Sequence, residues 1–315
     1  MSPSKLVSWL VLGLIFLASA CATTPYTARR QLMMVPQGTE NSLGYQAFSD
    51  VKKQYRVNRD PELNQMVAGV GRRLAAAAHR PDFRWEFVVF EDNKIANAFC
   101  LPGGKVGIFT GILKLTKNEA GLATVMAHET AHAIARHHGE RMSQGLLAQA
   151  GAIGLSLGLG GMNPYAADAI MRAYGLGANV GVLLPYSRTQ EYEADKIGLI
   201  LMAKAGYDPE AALDFWQSML KEKKDRFQLP QFLSTHPTDE NRIKAMREFM
   251  PQAREYYNPP QDLGIVEGKG QNLWGPVSPP LSPPSPQKDE VLEGQDRGQA
   301  APAPSPPSQP PLRDP

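Results

Sequence analysis

A chain of 315 residues with 43% apolar content can bury a substantial core, which excludes a protein disordered throughout. A formal net charge of +2 is too small for a broad electrostatic grip on nucleic acid or anionic lipid, so no nucleic-acid partner is expected and partners must be sought in sites. There are two cysteines, Cys21 and Cys100; if Cys21 carries a lipid the two are not a disulfide pair, and the fold is then left to packing and to metal where the chemistry asks for it.

Lys5, the apolar run from Leu6 to Phe16 and the small residues Ala18, Ser19 and Ala20 have the layout of a secretory signal. Leu17-Ala18-Ser19-Ala20-Cys21 resembles a bacterial lipobox, which predicts that residues 1–20 are removed and that Cys21 is acylated. An ordinary signal peptide with an incidental cysteine is the alternative. The apolar stretch is short for a membrane span. Acylation would anchor the chain on a membrane surface with the rest in the periplasm. Ala22, where retained lipoproteins carry aspartate, points by resemblance to the outer membrane.

From Cys21 to about Gly44 the sequence is polar and aperiodic and reads as a tether and lead-in, with a domain over residues 45–255. Asp60-Pro61 opens a helix, with Asp as N-cap and Pro at the first helical position, and Leu63, Met66, Val67, Val70 and Leu74 keep helical spacing to about Ala78. Strands are expected from Phe83 to Phe90 and from Lys105 to Thr110. Asn97-Ala98-Phe99 is a third extended piece between them, closed by the turn Pro102-Gly103-Gly104. Asn118 and Glu119 open a long helix that carries Leu122, Val125, Met126 and Ile134 on one side.

The Gly- and Ala-rich region from Gly151 to Gly181 reads as a pair of closely packed helices, with a membrane-facing or pore-like element as the other reading. Further helices are expected over about Thr189 to Lys204, Pro209 to Lys221 and Thr238 to Phe249. About half of the 27 prolines fall in the last forty residues, so residues 256–315 read as an extended tail: a spacer, or a Pro-rich ligand for a partner module.

The chemistry centres on His128-Glu129-Thr130-Ala131-His132. Residues four apart on a helix lie nearly above one another, so His128 and His132 can present two imidazoles to one zinc ion. Glu129 sits a fraction of a turn aside, where it can take a proton from water next to the metal and return it to a leaving amine. Five of the six histidines lie between positions 128 and 236, and the motif is flanked by apolar or small residues, as a buried metal-bearing helix needs. A third ligand is required. His138 stands where metzincins place a third histidine, but Ala135 replaces the glycine of their turn, so the helix is expected to run on through Arg136, leaving His137 and His138 on its surface or behind the ligands. The other route is an acid of Glu191-Tyr192-Glu193-Ala194-Asp195 on a second helix, with a further acid orienting a ligand imidazole.

These motifs, with Asn97-Ala98-Phe99 before them and His236-Pro237 to Arg242 after them, resemble the zinc peptidases related to HtpX, BepA, Oma and the CAAX prenyl proteases over about Tyr45 to Phe249. The resemblance implies a mainly helical α+β, minigluzincin-like domain with a small sheet bordering the cleft and one Zn2+ per chain. It implies Glu191 as third ligand, with Glu193 as runner-up, Asp195 as the acid behind a ligand, and Asn97, Ala98 and Phe99 as the edge that pairs with substrate backbone. His236 would donate to the reaction intermediate or fill the open ligand position, and Arg242 would orient a carboxylate or the intermediate. Cys100 is given no catalytic role. Polypeptide substrates are implied, as are misfolded or assembling proteins of the envelope. Two rivals stand beside this reading: a chaperone-like or scaffold lipoprotein without turnover, and a zinc hydrolase of cell-wall peptides.

Overall fold

The computed structural model describes residues 21–160, 163–165, 168, 187–225 and 230–257. The leader over residues 1–20, the side chain of Cys21 and all but two residues of the Pro-rich tail lie outside them. The described chain is mainly helical, with one two-stranded ribbon and one three-stranded sheet.

The ribbon pairs β1 (Cys21–Thr23) with β2 (Arg30–Leu32) in antiparallel register, and α1 (Gln37–Gln54) follows. Residues 21–44 are therefore folded against the domain, where the sequence suggested a tether with order starting near Tyr45. The polar residues there are buried partners of distant groups: Thr24, Gln31 and Glu40 are each no more than 4% exposed. Polarity without periodicity reads as solvated chain unless those partners are known. A Cβ on Gly44 would run into the backbone carbonyl of Pro102, so α1 lies directly on the turn that shapes the sheet. Gly44→Ala should cost about 1–3 kcal/mol in urea unfolding. A neutral result would show that α1 moves freely over this turn.

Helix α2 (Pro61–Ala78) starts as expected, with the Asp60 carboxylate accepting from the amides of Glu62 and Leu63. Its buried stripe of Leu63, Val67, Val70 and Leu74 packs on β3 (Glu86–Phe90). The sheet has the order β3-β5-β4, with β4 (Ala98–Leu101) antiparallel and β3 parallel to the central β5 (Lys105–Phe109). Gly103 and Gly104 take φ of 83° and 81° in the β4–β5 turn, a conformation that strains other residues. β4 is thus an edge strand among the described residues.

After the short α3 (Leu113–Thr116) comes α4 (Glu119–Ile134), capped by Asn118, whose side chain accepts from the Gly121 amide at 2.8 Å. Every residue from Gly121 to Ile134 is buried. α4 stops at Ile134, and α5 (His137–Gly158) begins anew after Arg136, which has φ of 59°. This corrects the expected continuation through Arg136. A left-handed non-glycine residue costs about 1–2 kcal/mol, and here the fold opposes that cost. Arg136 pairs with Glu40 and donates to the Val35 carbonyl at 2.9 Å, while Gln31 donates to the Ala135 carbonyl at 3.0 Å.

In the outer part of α5, Leu146, Leu147, Ile153 and Leu157 are exposed, and no described residue lies within 4 Å of a Cβ built on Gly154 or Gly158. Most of residues 161–186, the other half of the expected helix pair, lie outside the described residues. No helix among the described residues is long and apolar enough to cross a membrane. Among the described residues four further helices follow after residue 186: α6 (Arg188–Lys204), opened by a Ser187–Gln190 capping box, α7 (Glu210–Asp225), α8 (Gln231–Thr235) and α9 (Glu240–Arg254). Leu122, Val125, Ile197, Leu201, Trp216, Phe232 and Met246 form the core shared by α4, α6, α7, α8 and α9.

Candidate active site

Two helices cross to make the site. A Cβ on Gly198 of α6 would stand 3.4 Å from the backbone nitrogen of His128 on α4, so the glycine allows the two backbones to meet there. Counting back from Gly198, Asp195 and Glu191 occupy the same face of α6 as successive positions of one stripe. Glu193 points about 200° away from Glu191 around the helix. The crossing therefore brings Glu191 to the two histidines and takes Glu193 elsewhere.

His128 Nε2 and His132 Nε2 lie 3.1 Å apart, and each is 3.4 Å from a carboxylate oxygen of Glu191. His236, at the end of α8, adds Nδ1 at 3.2 Å from His128 Nε2 and 3.1 Å from Glu191 Oε1. One ligand atom from each of His128, His132, Glu191 and His236 fits within 4.8 Å, and all four residues are buried. Two donors on a tetrahedral zinc with bonds of about 2.0–2.1 Å stand about 3.3 Å apart, which is the separation found here. Lone-pair nitrogens facing one another this closely need a proton or a cation between them. The donor set fits a zinc ion.

Charge around the donors is balanced in pairs. Arg242 reaches in from α9, whose N-cap Asp239 accepts from the Arg242 amide at 3.0 Å. Its guanidinium grips Asp195 through Nε at 2.8 Å and Nη2 at 2.7 Å, meets Glu191 Oε2 at 2.7 Å and lies 4.4 Å over the Trp216 ring. Asp195 in turn faces His128 Nδ1 at 3.1 Å. Burial raises the Glu191 carboxyl, but Arg242 and His236 outweigh it and hold it well below the usual carboxylate range. Burial pushes His132 well below the ordinary imidazole value.

Glu129 is the carboxyl left outside the four-donor cluster. Its Oε1 lies 3.1 Å from His236 Nε2, and the Cys100 backbone amide of β4 is near the carboxyl and favours its charged form. Burial pushes this carboxyl up to about 7, against the pull of His236. Asn97 accepts from the Phe109 amide at 3.1 Å, so by antiparallel alternation the backbones of Ala98 and Cys100 face away from β5, towards α4. Ala98 and Phe99 thus sit on the edge strand with Asn97 just before it, while the Phe99 ring turns into a cluster with Phe48, Phe90 and Phe109. Burial raises the Cys100 thiol and keeps it protonated, in line with its having no catalytic role.

The remaining candidates fall outside the cluster. Glu193 faces Thr24, Thr27, Arg29 and His137 and not the other donors. His137 is wholly buried against His132, with their Nδ1 atoms 2.8 Å apart. Arg29, Thr24 and Glu140 escaped sequence reasoning because no spacing links them to the motifs. Trp216, beneath Arg242, looked like any core aromatic.

The sequence model of peptidase family M48 matches residues 61–250. The chain is 36% identical over 235 residues to mitochondrial metalloendopeptidase OMA1 of Schizosaccharomyces pombe, covering 73% of this chain and 66% of that one. It is 31% identical to the protein of the same name in Saccharomyces cerevisiae, covering 74% of this chain and 70% of that one. To the β-barrel assembly-enhancing protease of Escherichia coli it is 29% identical, covering 69% of this chain and 45% of the relative.

Proposed function

The chain belongs to peptidase family M48, and from that premise we propose that it is a zinc-dependent endopeptidase of the cell envelope acting on misfolded or assembling envelope proteins. The observation that carries the reading is the convergence of three imidazoles and one carboxylate within 4.8 Å, next to a separate carboxyl, Glu129, held near neutrality. His128, His132 and Glu191 would hold the zinc. Bound there, the ion supplies Lewis acidity towards a carbonyl and acidifies water.

Glu129 takes the proton of the attacking water and hands it to the leaving amine, a task for which a value near 7 is suited. Substrate backbone pairs along β4 at Ala98 and Cys100, which places the scissile bond beside Glu129. Arg242 keeps Glu191 and Asp195 aimed at the donors. His236 fills the fourth donor position in the arrangement seen, and has to withdraw when substrate enters.

The envelope assignment is supported by the lipobox-like segment ending at Cys21 and by the name of the E. coli relative, which speaks of β-barrel assembly. On this reading residues 1–20 are a removed leader, acylated Cys21 anchors the chain at the periplasmic face of the outer membrane, and residues 256–315 are a spacer. The test is purified protein against an unfolded casein-like chain and against muropeptides, with zinc content measured. One zinc per chain, cleavage of the unfolded chain, its loss on chelation and its return with zinc are expected. Zinc-loaded protein that cleaves neither substrate would sink the peptidase reading in favour of the chaperone-like alternative, and cleavage of muropeptides alone would favour the cell-wall one.

A further inference from the structure

We propose that the N-terminal ribbon is part of the metal site: Thr24, Thr27 and Arg29 hold Glu193, Glu193 fixes the tautomer of His137, and His137 fixes that of His132, so that His132 Nε2 is presented to the donor cluster as a lone pair. The inference rests on the metal reading above.

Glu193 is 4% exposed and is surrounded by donors. Thr24 Oγ1 donates to its Oε1 at 2.6 Å, Thr27 Oγ1 donates to the same oxygen, and Arg29 Nε donates to Oε2 at 2.7 Å. Arg29 is itself fixed, because its Nη1 and Nη2 each meet Glu140 at 2.8 Å and Glu140 accepts from Gln190 at 2.7 Å. A carboxylate held in this way can only accept.

His137 Nε2 lies 2.9 Å from Glu193 Oε2, so that nitrogen carries the proton. A neutral imidazole has one N–H, which leaves His137 Nδ1 as an acceptor. The group 2.8 Å from it is His132 Nδ1, which must therefore be the donor. By the same rule the other nitrogen of His132 is bare, and it is the Nε2 that stands 3.1 Å from His128 Nε2 in the cluster. The two histidines are thus set by different means. Asp195 faces His128 directly, whereas the carboxylate serving His132 acts through an intervening imidazole and is held by the ribbon. Partners behind metal ligands typically change affinity by about 10–100-fold.

The experiment compares zinc affinity, by chelator competition on metal-stripped full chain, for wild type, His128→Ala, Glu193→Ala, His137→Phe, Arg29→Met, the Thr24→Val/Thr27→Val pair and the exposed control Arg30→Ala. Nitrogen-15 shifts of His132 in the metal-free protein report its tautomer. Expected are an Nδ1-protonated His132 in wild type, mixed tautomers in Glu193→Ala and His137→Phe, and affinity losses of about 10–100-fold in those two variants. Arg29→Met, which removes one hydrogen bond to Glu193, should lose about fivefold, the Thr24→Val/Thr27→Val pair, which removes two, more than that, and Arg30→Ala nothing. Ribbon and Glu193 variants that melt earlier yet keep wild-type affinity and tautomer would overturn the proposal, since a merely structural role predicts that pattern. Equal zinc binding by wild type and His128→Ala would overturn the metal reading itself.

Discussion

Glu129→Gln should leave zinc content unchanged and lower kcat for cleavage of an unfolded protein by about 10²–10⁴-fold, the usual contribution of a positioned general base. The substitution keeps the shape of the side chain and removes only its basicity. Glu129 is not one of the four clustered donors, and its carboxyl faces His236 Nε2 and the Cys100 amide instead. On the proposed roles, metal retention and catalysis are separable at this residue, as they are not at His128 or Glu191. Steady-state kinetics with metal analysis on the same samples is the measurement. Activity within tenfold of wild type, roughly the scale of a single hydrogen bond, would remove Glu129 from the chemistry. Zinc loss from a folded variant would make it a ligand.

Arg242→Ala should destabilise the metal-stripped protein by about 3–5 kcal/mol, because it leaves Asp195 and Glu191 buried without their cation. Arg242 is 2% exposed and carries the Trp216 ring on its guanidinium, so a cavity adds to the electrostatic loss. Bound zinc supplies positive charge to the same carboxylates, and the loss should shrink when metal is present. Urea unfolding in chelator and in zinc reads both numbers. Arg242→Lys keeps a charge but lacks the planar fork that meets Asp195 at two points, and should fall between. A metal-free loss below about 1 kcal/mol, the worth of a surface pair, would mean that the carboxylates are compensated elsewhere.

What could be read from the sequence was local. Asp60-Pro61 and Asn118 carry their helix starts in their own side chains, and the i, i+4 spacing of His128 and His132 needs no tertiary knowledge. The order of motifs put Glu191 and Asp195 on one later helix, and Gly198 explains why that helix can cross at His128. Non-local causes were not legible. The break after Ile134 depends on Glu40 holding Arg136 left-handed across 96 residues, so a rule that asks only for glycine misses it. The role of residues 24–31 was hidden in the same way, since their partners are other polar groups and not an apolar face.

The ribbon also bears on how the domain comes together in time. Thr24 and Arg29 stand 169 and 164 residues ahead of Glu193, so the earliest described segment of the chain, though Gln31 and Arg29 also meet Ala135 and Glu140, cannot complete its contacts until α6 has been made. Closing so long a loop is an entropic cost that the helix packing of α4 and α6 has to offset beforehand. Contacts made after the folding barrier govern the rate at which a finished protein opens. Thr24→Val and Arg29→Met should on this ground speed unfolding more than they slow folding, which stopped-flow unfolding and refolding in urea would read.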